Sequence, residues 1–169
     1  MKTSLTAVTL TIAAAWLAAP IAAQEHTVKP SKGFEQLKPL IGEWQGEAGG
    51  KPVQVSYQLV SGGTALLERL TMAGETEMIT LYTPDSDRLA VTHYCSSGNQ
   101  PHMRTEPVGA AATEFSFSFV SATNLASPAA GHMSHLTVTL KDHDHFSETW
   151  TWSDQGTDHT SVFNFTRKS

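Results

Sequence analysis

One short stretch of the chain, residues 92–104, concentrates side chains that could do chemistry. It reads THYCSSGNQPHMR and holds two histidines, the single cysteine and an arginine. His93 and Cys95 stand two residues apart, so a strand would place both on one face. A cysteine thiolate beside a histidine base could act as a nucleophile. Because no oxyanion-binding or third orienting group is recognisable, the sequence favours a small buried cysteine beside a hydrogen-bonded histidine.

Metal binding is the second chemistry that the histidines suggest. A zinc site needs three or four converging ligands, and the spacing of His132 and His135 does not define such a set. These two residues are therefore weak candidates, together with His93 and His159. The metal interpretation remains an open alternative, with its ligand set unknown.

Two glutamates offer acid–base chemistry. Glu68 and Glu148 alternate with apolar residues, which predicts that both carboxyl groups point inward. A buried carboxyl group needs a partner or a raised pKa. We expect both to form an internal polar network around a ligand with His93 and Arg104, in which Arg104 would recognise a carboxylate. Acid–base catalysis by either glutamate with His93 is a further alternative.

The length, the charge and the cysteine count of the chain exclude some classes of function. The chain has 169 residues and a formal net charge of −5, and its few basic residues are scattered. This argues against a nucleic-acid partner. A single cysteine, Cys95, cannot form an intrachain disulfide, so an ordinary apolar core must stabilise the fold.

The first residues resemble an export signal. Lys2 precedes an apolar run and an Ala-Ala exit, which predicts a signal peptide over residues 1–23 with cleavage after Ala23. A flexible segment (24–33) and one domain (34–169) would follow. The mature protein would be periplasmic or secreted, with no membrane anchor.

Apolar and polar residues alternate along most of the remaining chain, which predicts half-buried strands. A short helix is expected over 34–41, limited by Pro39. Ten strands are predicted, at about 43–48, 53–60, 64–72, 76–83, 88–95, 102–108, 113–120, 134–141, 145–152 and 159–167. An even count leaves the first and last strands antiparallel, so they can pair and remove the open edges. We therefore predict an all-β, ten-stranded, up-and-down antiparallel β-barrel whose N-terminal helix closes one end.

The segment LIGEWQGE (40–47) resembles the Gly-x-Trp start of the calycin superfamily, which includes lipocalins, fatty-acid-binding proteins and nitrobindins. Residues 55–70 and 92–104 resemble a group of uncharacterised secreted lipocalin-like bacterial proteins. The resemblance implies an up-and-down barrel closed by the helix near Trp44, but no particular ligand. The resemblance to nitrobindins implies haem as an alternative cofactor, with His93 or His159 as axial ligand.

The expected strand order puts the longest connection, 121–133, at the end opposite the helix, where barrel mouths admit ligands. We expect His93 to point inward below it, and Arg104 to reach the same rim. The predicted function is a secreted protein that holds a small hydrophobic or amphipathic molecule in the barrel. The candidate ligand-binding residues are His93, Arg104, Glu68, Glu148, Tyr57 and Trp150.

Overall fold

Ten antiparallel strands close into a barrel in the computed structural model, which describes residues 31–169. A helix, α1 (Lys32–Leu37), and a 3-10 turn (Lys38–Leu40) precede them. The strands are β1 (Gly42–Ala48), β2 (Lys51–Val60), β3 (Ala65–Met72), β4 (Met78–Asp85), β5 (Arg88–Tyr94), β6 (Gln100–Thr105), β7 (Glu114–Thr123), β8 (His132–Leu140), β9 (His145–Asp154) and β10 (Thr157–Arg167). The predicted signal peptide and most of the predicted flexible segment lie outside the described residues.

Each strand pairs with its neighbours in sequence, and β1 pairs with β10, so the predicted up-and-down closure is confirmed. The seam runs from Trp44 opposite Arg167 to Glu47 opposite Asn164. Gly46 lies in this seam, where a Cβ atom would come within 2.1 Å of the Asn164 carbonyl oxygen. Only a residue without a side chain allows the two backbones to approach this closely.

The helix begins two residues earlier than the sequence predicted. Ser31 caps it by accepting a hydrogen bond from the Phe34 amide at 3.4 Å, so the end of the predicted flexible segment is helical. Leu37 and Leu40 are fully buried against the barrel. We call this helix end the lower end of the barrel and the opposite end the mouth. No helix in residues 31–169 is both long and apolar enough to cross a membrane.

Inward and outward residues alternate along the strands as the sequence pattern predicted. The buried core is built from the inward sets, among them Val53, Val55 and Tyr57; Leu89, Val91 and His93; Phe115 and Phe117; and Phe146, Glu148 and Trp150. Two polar glutamates and a histidine therefore share the interior with aliphatic and aromatic side chains.

The strands at the seam differ in length, and this opens the barrel near its mouth. β1 pairs with β10 only along residues 164–167, and the chain then turns at Gly49 and Gly50 into β2. The upper half of β10 extends beyond this turn. A notch is therefore left between the turn and residues 160–163, and it leads towards the core.

Candidate functional site

An open pocket occupies this notch and the barrel mouth, with a volume of about 510 Å³. Its lining is mainly apolar, contributed by Ala48, Met72, Met78, Met133, Trp150, Trp152, Val162 and Phe163, with Gly49, Lys51 and residues 159–161 at the edge. Methionine side chains are flexible and polarisable, so a surface rich in them adapts to apolar ligands of different shapes.

A small void, more enclosed than the mouth pocket, lies below it, with a volume of about 20 Å³. Glu68, Leu70, Met78, His93, Met133, Trp150 and Phe163 line it. Met78, Met133, Trp150 and Phe163 line both spaces, so the void and the mouth pocket adjoin. A void of this size holds about one water-sized group.

His93 occupies the wall of the void and points into the barrel. Its Nδ1 atom lies 3.0 Å from the Thr80 hydroxyl on the neighbouring strand, and its ring packs on Trp150 with centroids 4.6 Å apart. The side chain is 2% exposed, and its Nε2 atom is buried without a hydrogen-bond partner among residues 31–169. Burial lowers the pKa of His93 to about 4, so the imidazole is neutral at physiological pH.

Glu68 and Glu148 form the polar floor beside His93. Tyr57 Oη donates to Glu148 Oε1 and lies 3.4 Å from Glu68 Oε2. Tyr82 donates to Glu68 Oε2 at 2.6 Å, and Trp150 Nε1 donates to Glu148 Oε2 at 2.9 Å. Tyr57 thus lies between the two carboxyl groups and donates to Glu148, and each carboxyl group accepts from a further donor.

As far as residues 31–169 describe it, the polar floor contains no lysine or arginine. Within residues 31–169, no lysine or arginine forms an ion pair with either glutamate. Burial raises the pKa of Glu68 well above its usual value, and the nearby Glu148 raises it further. Burial also raises the pKa of Glu148. Burial and the two carboxylates raise the pKa values of Tyr57 and Tyr82, so both phenols remain hydrogen-bond donors.

The expected position of Arg104 is wrong. Met103 and Thr105 are buried, so Arg104 between them points outward. Its guanidinium group is half exposed and lies 3.4 Å from Asp85, which ends β4 at the lower end of the barrel. Arg104 therefore belongs neither to the internal network nor to the mouth, and no buried lysine or arginine of the described part of the chain supplies the cation that a bound carboxylate would need.

The candidate metal ligands do not converge. His132 stacks on Phe119 with centroids 4.5 Å apart, whereas His135 lies 3.0 Å from Ser116 Oγ, and His159 is exposed at the edge of the mouth pocket. In the described part of the chain, no group of three histidine, cysteine or acidic side chains could hold a metal ion. The donor sets therefore do not support the rim-histidine metal hypothesis.

The rim stretch itself has a structural role. Asn99 is buried, and its Nδ2 atom donates to the Gly131 carbonyl at 2.8 Å. This bond ties the β5–β6 turn to the long connection, which covers residues 124–131 because both flanking strands extend further than predicted. Cys95 is half buried in the same turn, and the His93 ring is bonded to Thr80 instead.

Sequence reasoning missed Thr80 and Tyr82, which complete the polar floor. Both are fully buried on β4. This stretch reads Met-Ile-Thr-Leu-Tyr-Thr, so each face of the strand carries both apolar and polar side chains. Periodicity therefore does not identify the inward face, although pairing with β5 places Thr80 directly opposite His93.

These features define the class of protein as a closed, ten-stranded, up-and-down antiparallel barrel with an internal polar cluster below an open mouth. Comparisons with protein-family models and with curated proteins each found no match. The chain is similar to the crystal structure of a protein with unknown function from the DUF3598 family, from Nostoc punctiforme, with a TM-score of 0.54 and 13% identity. The match covers 78% of this chain and 49% of the other, so the chain spans about half the length of that protein. This likeness shows the fold alone.

Proposed function

We propose that this protein is an exported, lipocalin-like binding protein of the calycin type. It holds a small, mostly apolar molecule in the mouth pocket, with a polar atom of the ligand against His93. The observation that carries the proposal is the buried, unpartnered Nε2 atom of His93 beside a void that adjoins an open pocket rich in methionine and tryptophan.

Binding at this site is supported by its balance of apolar and polar groups. Ligand pockets are commonly apolar with a few polar groups that set orientation. A buried polar atom without a partner is costly, so a ligand atom that reaches Nε2 supplies a hydrogen bond that the side chains around it do not. The apolar lining supplies the affinity, and His93 supplies the orientation.

Acid–base catalysis is a second candidate function, because Glu68 lines the same void as His93. Glu148 supports it less well, since its two oxygens accept hydrogen bonds from Tyr57 and Trp150. A substrate that is chemically changed by the wild-type protein, but only bound by Glu68→Gln, would support this candidate.

The binding proposal is tested with N-phenyl-1-naphthylamine, a neutral apolar dye whose fluorescence rises in apolar surroundings. Met72→Trp places a large ring in the mouth pocket, whereas Thr71→Trp adds the same ring to the exposed, outward-facing neighbour. We expect saturable binding to the wild-type protein and to Thr71→Trp, and at least roughly tenfold weaker binding to Met72→Trp, as for loss of a well-packed apolar contact.

Absence of saturable binding, or equal binding by the two variants, would contradict the proposal. The haem alternative is tested on the same material. An intense Soret absorption band in the purified protein, lost on His93→Leu or on His159→Leu, would favour haem over an apolar ligand.

A further inference from the structure

We infer that the ligand's inner end is an uncharged oxygen acceptor, such as a ketone or hydroxyl oxygen, and that His93 Nε2 donates a hydrogen bond to it. This inference rests on the binding function proposed above and names the chemical class of its ligand. It excludes carboxylates and ammonium groups from the inner end of the site.

The hydrogen-bond donors around Glu68 and Glu148 determine which of the two carboxyl groups holds a proton. The Tyr57 hydroxyl has one hydrogen, and its closer partner is Glu148, which also accepts from Trp150. Tyr57 therefore has no hydrogen left to donate to Glu68 Oε2, which lies 3.4 Å away. Glu148 is the better anion because two donors stabilise it. Glu68 has one short donor, Tyr82, so it is the member of the pair that holds a proton.

The protonation of Glu68 determines the tautomer of His93 through Thr80, which lies between them. Thr80 Oγ1 lies 3.4 Å from Glu68 Oε1 and 3.0 Å from His93 Nδ1, and it has one hydrogen to donate. Glu68 Oε2 already accepts from Tyr82, so the proton of Glu68 lies on Oε1 and is donated to Thr80, and the threonine then donates to Nδ1. A neutral imidazole that accepts at Nδ1 carries its hydrogen at Nε2. The Nε2–H group of His93 is therefore a hydrogen-bond donor that faces the void.

The space and the charge around His93 Nε2 restrict the ligand groups that can bind there. The void holds about one water-sized group, and none of the lysines and arginines in residues 31–169 lines it. A carboxylate has two oxygens and would meet Glu68, with the anionic Glu148 close behind it, without a compensating cation. An ammonium group would meet the Nε2–H donor. Lys51 lines the mouth pocket, but it is exposed and paired with Glu75 at 3.3 Å.

The experiment compares matched ten-carbon probes: 2-decanone, decan-1-ol, decanoate, decylamine and decane. Each displaces N-phenyl-1-naphthylamine from the wild-type protein at pH 7.5. We expect the ketone and the alcohol to bind about tenfold more tightly than the two charged probes and decane, the effect of one buried hydrogen bond.

Variants test whether His93 causes this preference. His93→Leu should remove the advantage of 2-decanone over decane, whereas His93→Gln retains a donor and should keep part of it. His102→Leu is the matched control, because His102 bonds to Thr92 outside the polar floor. Glu68→Gln mimics the protonated carboxyl and should keep the preference, and Thr80→Val should weaken it.

A measurement on the folded wild-type protein covers the case in which a variant does not fold. Nitrogen-15 NMR at pH 7.5 should find the His93 proton on Nε2. A proton on Nδ1 would overturn the inference. So would decanoate or decylamine binding as tightly as the ketone, or a ketone no better than decane, as expected if only a water fills the void. These results leave the proposed function standing if the dye still binds and Met72→Trp blocks it; loss of dye binding overturns both.

Discussion

The guanidinium carbon of Arg167 lies 4.0 Å from the centre of the Trp44 ring, where the last strand pairs with the first. Arg167 also donates to the carbonyl groups of Pro39 at 2.7 Å and Ile41 at 3.1 Å. The Trp44 indole in turn donates to the Leu40 carbonyl at 2.7 Å. These two residues join the helical segment, β1 and β10, and so complete the lower end of the barrel.

Replacing Trp44 with alanine should destabilise the fold by about 3–5 kcal/mol, the usual cost of removing a large buried ring. Trp44 is 1% exposed and packs edge-on against Phe146 with centroids 4.7 Å apart. The measurement is the free energy of unfolding from urea titration. Trp152→Ala, at the half-exposed mouth, is the control and should cost less. An unchanged midpoint for Trp44→Ala would mean that the ring is not part of the core.

Replacing Gly46 with alanine should destabilise the seam by about 1–3 kcal/mol or more, because the new methyl group meets backbone that cannot move aside. The Cβ atom would lie 2.1 Å from the Asn164 carbonyl oxygen and 2.9 Å from the Phe165 ring. Gly109→Ala is the matched control, since nothing lies within 4 Å of its Cβ position. Thermal unfolding checks both. Equal melting temperatures for both variants would contradict the close approach at Gly46.

The fold could be predicted because its main signal is local. Alternation along Val53, Val55 and Tyr57, for example, marks one buried face without knowledge of the neighbouring strands. Closure followed from the even strand count. The strand ends were less accurate: hydrogen bonding extends β7 to Thr123 and begins β8 at His132, and turn composition does not determine where pairing stops.

The site could be predicted only for residues whose inward orientation follows from the alternation of their neighbours in sequence. Glu68, His93 and Glu148 are inward, as their apolar neighbours indicated. Arg104 was misplaced because β6 covers Gln100–Thr105, earlier than the predicted 102–108, which puts Arg104 near its lower end, and because His102-Met103-Arg104 has no apolar alternation that marks the inward face. The hydrogen bonds that connect Thr80 to Glu68 and His93 join three strands. Such contacts depend on the register between strands, which a single sequence does not encode locally.

Glu68→Gln should gain stability relative to the wild-type protein as pH rises. The folded-state pKa of Glu68 is raised, so the folded protein holds its proton more tightly than the unfolded chain does. Its contribution to stability is therefore present at low pH and is lost as pH rises from the unfolded value of about 4.3 towards the raised folded value. The difference between the two proteins should grow by up to about 1.4 kcal/mol per pH unit.

Urea titrations of both proteins from pH 5 to pH 8 measure this difference. His93 titrates in both proteins, so its effect largely cancels. Glu47→Gln, at an exposed position on β1, is the control. A constant difference between Glu68→Gln and the wild-type protein over this range would show that Glu68 does not hold a proton in the folded state.

His93 should remain neutral to about pH 4, and it should give the folded protein a pH dependence opposite in sign to that of Glu68. Burial lowers its folded-state pKa to about 4, whereas an unfolded histidine titrates at about 6.5. The unfolded chain therefore binds the extra proton first. The stability that depends on a neutral His93 is full above about pH 6.5 and is lost as pH falls towards 4. The ring-proton NMR shifts of His93, followed from pH 7.5 to pH 4, give its pKa directly, and His93→Gln should flatten the corresponding fall in unfolding free energy. A midpoint near 6.5 would mean that water or a counter-charge reaches the ring, and the imidazole would then not be the dry, neutral donor at the floor of the site.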